Sequence, residues 1–147
     1  MKNFLRLPRP VLRPKIIHPL AFTLALVCAP LLVALFGFWL FIPVFAIAFG
    51  GPLYLALGVP ALLWFIPRYG VKAWQIGILA SLVNLIGVAA IALVLLQLDL
   101  GMDADDFLRL YVLVGTPVAF AWGLTFGLLY PAFERSFEHK FARAVPA

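Results

Sequence analysis

The chain has 147 residues, of which 65% are hydrophobic and 12% charged, and its formal net charge is +5. Soluble domains carry about 25% charged residues, and one this short has too little interior to hide so much apolar surface. The composition therefore excludes a soluble enzyme, a disordered chain and a disulfide-stapled secreted module; the single cysteine, Cys28, has no mate within the chain.

Residues 1–18 hold Lys2, Arg6, Arg9, Arg13 and Lys15 with no acid, interleaved with Pro8, Pro10 and Pro14. Proline at that density disfavours helix, so an extended, polyproline-like segment is expected. Arg6, Arg9, Arg13 and Lys15 are placed to meet anionic lipid headgroups, at about 1 kcal/mol per charge. Docking to a soluble partner is the alternative. Nucleic acid is not expected as a partner, because no recognisable binding fold accompanies the charge. A basic stretch followed by an apolar run has the form of a secretory signal. The run continues far beyond a signal core with no small-x-small cleavage site, so a retained first helix is expected.

From His18 to Pro67 no residue carries Asp, Glu, Lys or Arg. A membrane span needs roughly 20 apolar residues, so the stretch 19–66 holds two and must fold back. A turn at Gly37–Pro43 yields spans near 20–37 and 44–66, and Trp39 between Phe38 and Phe41 suits a hairpin at headgroup level. A re-entrant segment over 38–49 is the alternative. Gly50-Gly51-Pro52 then becomes a kink within the second helix, and Gly58, Pro60 and Pro30 are further breaks. Broken helices line binding sites in many transporters, yet Gly and Pro are ordinarily frequent in membrane helices. No ionisable group stands at depth beside these breaks, as proton-coupled carriers require. Tyr54 is the candidate polar contact here.

Arg68 and Lys72 separate this stretch from a third span near 74–98. Gly77, Ser81, Asn84 and Gly87 recur at three- to four-residue spacing on one face. Asn84, the most polar side chain deep in any span, needs a partner in lipid. A hydrogen bond to another helix is expected, with a substrate or ion contact as the alternative. The acidic loop that follows contains Asp99, Asp103, Asp105 and Asp106. It lacks the spacing of a calcium-binding EF-hand, so no metal site is expected, and its carboxylates are placed to cap the fourth helix.

The fourth span, near 107–130, carries Gly115, Ala119, Gly123 and Gly127 every four residues. Such a ridge lets helix backbones approach closely, the main source of association in lipid. Its partner is expected within the chain; a homo-oligomer or larger membrane complex is the alternative. Beyond Pro131, residues 132–147 place Phe133, Phe137 and Phe141 on one side of a short amphipathic tail suited to lying in the interface. Trp64, Tyr69, Trp74 and Tyr130 are expected as anchors at one interface and Trp39 and Tyr111 at the other.

Together these readings describe an all-α, polytopic membrane protein. A four-helix transmembrane bundle over 19–131 stands between the basic segment 1–18 and the tail 132–147. Of the 11 Lys and Arg residues, only Arg109 lies on the side of the acidic loop, at the start of the fourth span. The positive-inside rule therefore places both the N- and C-termini in the cytoplasm, in a bacterial inner (plasma) membrane crossed several times. His18 and His139 lie at opposite ends with no nucleophile or ligand set beside them, so neither catalysis nor a cofactor is expected. The expected role is packing against other membrane proteins as an accessory, assembly or immunity-type binding protein. The alternative is a small oligomeric transporter or channel with helices 2 and 3 lining the path.

Overall fold

In a computed structural model of the protein, residues 16–37, 50–98, 108–109 and 111–144 are described, Leu98 and 138–144 for the backbone alone. The basic residues Arg6, Arg9, Arg13 and Lys15, the 38–49 turn or re-entrant segment, and the acidic loop with its capping aspartates lie outside the described residues. Those described are helical apart from short links, with no strand among them.

The first helix, α1 (Pro19–Phe36), is set by its cap: His18 is extended, its Nδ1 accepts the Ala21 N–H at 3.3 Å, and Pro19 occupies the first turn. Proline suits that position because its missing N–H would be unsatisfied there anyway. Gly37 closes the helix with its N–H on the Val33 carbonyl. Helix α2 (Gly50–Tyr69) ends at Gly70, whose φ of 75° lies in the left-handed region that glycine adopts without strain. The Gly70 N–H meets the Ile66 carbonyl at 2.9 Å, and the Lys72 carbonyl accepts from Gln75 and Ile76. That tight link starts α3 (Ala73–Leu98) antiparallel to α2. A π-helical turn (Tyr111–Gly115) leads into α4 (Thr116–Ala144). Among the described residues four helices are long and apolar enough to cross a membrane: Pro19–Phe36, Gly50–Tyr69, Ala73–Gln97 and Tyr111–Phe137.

Helix α4 is the centre of the bundle, packed along α3 on one side and α1 on the other, and α2 leans on α3. Phe22 of α1 meets Phe126 and Tyr130 edge-on, with ring centroids 5.4 and 6.4 Å apart, and His18 stacks on Phe137 at 5.3 Å. The start of α1 therefore lies beside the end of α4. The tightest core is at this same end, where Ala25, Leu62, Ile66, Ile76 and Phe126 close around Phe22 and Tyr130.

Two expectations change here. α4 does not end at Pro131 to release a separate tail helix; it continues to Ala144, and Phe133 and Phe137 pack against the core. Pro131 leaves only one carbonyl of the preceding turn without its usual donor, and aromatic contacts on both sides of it favour continuity. Tyr130 is no interfacial anchor: it is fully buried, accepts the His18 N–H at 3.2 Å and donates to Glu134 Oε1 at 3.1 Å. Trp64, by contrast, is exposed, with the Arg68 guanidinium 4.8 Å from its ring centroid.

Candidate functional site: a cavity between three helices

The small residues of α4 and α3 bring the two backbones together. A Cβ on Gly123 would stand 2.6 Å from the Ile76 carbonyl oxygen and 3.0 Å from Gly77 Cα, and one on Gly127 would stand 2.5 Å from Ala73 Cα. Gly77 is covered in turn by Phe120, 2.9 Å from where its Cβ would be. Gly87 faces the other way, against Leu53 and Leu57 of α2. Gly115 lies against the Asn84 amide, and Ala119 borders the space between the helices. So the ridge Gly115, Ala119, Gly123 and Gly127 runs along α3 of the same chain.

Towards the start of α4 this contact turns polar. Ser81 Oγ donates to the Thr116 carbonyl at 3.4 Å, and Asn84 Nδ2 donates to Thr116 Oγ1 at 3.5 Å. Both are long, and they join α3 to α4. Thr116 was not singled out from the sequence because threonine in a helix commonly bonds its own preceding turn.

Beyond the tight core the helices part, leaving a cavity of about 290 Å³ between α2, α3 and α4. Its wall is largely aliphatic, with Tyr54, Asn84, Tyr111 and Trp122 as its polar-bearing members. Residues of α2, α3 and α4 all contribute to this wall. Tyr54 and Trp122 meet edge-to-face at 5.4 Å. Trp122 is only 3% exposed. Its Nε1 and the Tyr54 hydroxyl are buried without a hydrogen-bond partner among the described residues. Leaving a buried donor unpaired costs about 1–3 kcal/mol, so two beside one cavity is a notable concentration.

Two irregular turns frame this space. Tyr54–Gly58 within α2 and Tyr111–Gly115 before α4 are both π-helical, and Val59 N–H reaches back to the Tyr54 carbonyl. Their sequences correspond: Tyr-Leu-Ala-Leu-Gly-Val-Pro from Tyr54 to Pro60, and Tyr-Val-Leu-Val-Gly-Thr-Pro from Tyr111 to Pro117. In each, a proline without an N–H follows the turn, and the wider π spacing accommodates the missing donor. The tyrosine and glycine of both turns line the cavity. The break in α2 thus lies after Gly50-Gly51-Pro52, at the π turn itself. Tyr111, expected as an interfacial anchor, is at the cavity wall. Trp122 was missed because one tryptophan in an apolar helix is unremarkable; the duplicated Tyr-x-x-x-Gly-x-Pro is the signal that leads to it. No group of three or more His, Cys, Asp or Glu side chains placed to hold a metal occurs among the described residues.

The chain matches no known protein family, no curated protein and no solved structure.

Proposed function

We propose that this chain is a multi-pass protein of a bacterial inner membrane, with both ends in the cytoplasm, that acts by binding other membrane constituents rather than by catalysis. The observation that carries the membrane reading is the inverted polarity of the bundle. Leu20, Leu24, Leu31 and Leu35 of α1 and Leu82, Ile86 and Leu93 of α3 face outward. Ser81 and Asn84 turn toward Thr116, and Gln75 is buried. Water would oppose both arrangements; hydrocarbon favours them. The small-residue ridge is occupied within the chain, so protein partners of an accessory, assembly or immunity-type role would meet the outer aliphatic faces.

Gentle extraction of the tagged full chain followed by mass spectrometry tests this reading. A membrane protein recovered in fixed stoichiometry with the chain is the expected result. Recovery of a lone oligomer that passes solutes across liposomes would overturn it. That outcome would favour the second reading, a small transporter or channel, and the cavity between α2, α3 and α4 is the observation on its side.

A further inference from the structure

The cavity combines three features that do not require one another. Its volume, about 290 Å³, exceeds the roughly 150 Å³ that suffices for benzene and approaches the lower range of small-molecule sites. Two buried hydrogen-bond donors on its wall, Trp122 Nε1 and the Tyr54 hydroxyl, have no partner among the described residues. Corresponding π-helical turns from two parts of the chain frame it; π turns are frequent at functional sites, and in many transporters interruptions at corresponding positions of repeated segments mark the binding site.

We infer that this cavity binds a neutral, ring-sized lipophilic molecule bearing a hydrogen-bond acceptor such as a carbonyl, with Trp122 Nε1 and the Tyr54 hydroxyl as its donors. Indole N–H only donates, so the ligand group facing Trp122 must accept. Apart from Asn84 and Tyr111 the rest of the described wall is apolar, and the Tyr54 and Trp122 rings meet edge to face in a way that suits a flat ligand. Among the described residues no Asp, Glu, Lys, Arg or His lines the cavity, a wall that selects against charged molecules. The inference rests on the bundle lying in a bilayer, though not on its having a protein partner. In that setting Trp122 lies about 18 Å along α4 from Glu134 at 1.5 Å rise per residue. That is near the middle of a hydrocarbon core of about 30 Å. Phospholipid ester carbonyls sit at the edge of that core, so a small molecule dissolved in it reaches Trp122 more readily.

The test uses the full chain with nitrogen-15-labelled indoles in dodecyl maltoside, a detergent without a carbonyl. Its four tryptophans give four indole signals, and the one missing from Trp122→Phe assigns Trp122. Benzophenone is the probe, and diphenylmethane, similar in shape but without the acceptor, is its control. Benzophenone is expected to move the Trp122 proton downfield in a saturable manner while the other three signals stay. Diphenylmethane is expected to produce no downfield shift. Tyr54→Phe, which removes a single oxygen, should weaken benzophenone binding about fivefold. An absent or non-saturable shift, an equal shift with both compounds, or a shift shared by all four indoles overturns the proposal. So does a downfield shift produced by added phosphatidylglycerol that benzophenone cannot reverse, which assigns the donors to a lipid carbonyl. Membrane residence is read separately, by whether the chain sediments with membranes after an alkaline carbonate wash. Failure there and failure at the cavity are therefore distinguishable.

Discussion

Glycine at 123 and glycine at 51 occupy opposite environments within the same bundle. At Gly123 a methyl group would press on the Ile76 carbonyl and the Gly77 backbone, neither of which can rotate away; at Gly51 nothing among the described residues lies within 4 Å. Overpacking of a rigid contact costs about 1–3 kcal/mol, whereas alanine in an open helical position gains up to about 1 kcal/mol over glycine. Gly123→Ala should therefore lower the thermal midpoint in detergent, and Gly51→Ala should leave it unchanged or raise it. Equal midpoints for the two variants would show that α3 and α4 do not meet this closely. The contrast is invisible in the one-letter string, where both are glycines in an apolar run. Spacing did point to Gly123 as part of a ridge, because small residues every four positions share a helix face.

At the scale of elements, α1 is tied at its beginning to the far part of α4. His18 caps it, stacks on Phe137 and gives its N–H to Tyr130, so one residue links the helix start to the far end of α4. Losing an N-cap costs about 1 kcal/mol, and losing an aromatic stack about 0.5–1.5 kcal/mol more. His18→Ala should therefore destabilise the bundle by roughly 2 kcal/mol. His18→Asn, which keeps a capping acceptor but not the ring, should recover about half. Denaturation of the two variants side by side in the same detergent measures the split, and identical losses would mean that the cap contributes nothing. The same contacts explain why α4 passes through Pro131 without stopping: Tyr130 on one side and Phe133 and Phe137 on the other are held by the core. Reading proline as a boundary was sound for an isolated helix; tertiary contacts override it here.

The described bundle packs tightly at one end and holds a cavity beyond it. The start of α1, the end of α2, the start of α3 and the later part of α4 form the tight core, and Arg68 near the end of α2, Lys72 in the link to α3 and Arg135 in the later part of α4 stand towards this end. If this is the cytoplasmic end, as the Lys/Arg bias requires, the loop containing Asp103 lies across the membrane. Alkaline phosphatase fused after Asp103 should then be active, and the same enzyme fused after Ala147 inactive. The reverse pattern would invert the proposed orientation, leaving the packing unaffected.

Charge and length alone determine the four apolar segments, because an uncharged run of about 20 residues has few alternatives to crossing a bilayer. The same string marks Asn84 as a side chain in need of a partner. Which helix faces which is a different matter. Lipid and protein interior are equally apolar, so a membrane helix need not display a polar outer face to show which side turns inward. Only the tertiary structure brings Thr116 to Asn84, sets Gly123 against Ile76, and buries Tyr130. It alone places Tyr54 and Trp122, far apart along the chain, edge to face on one cavity.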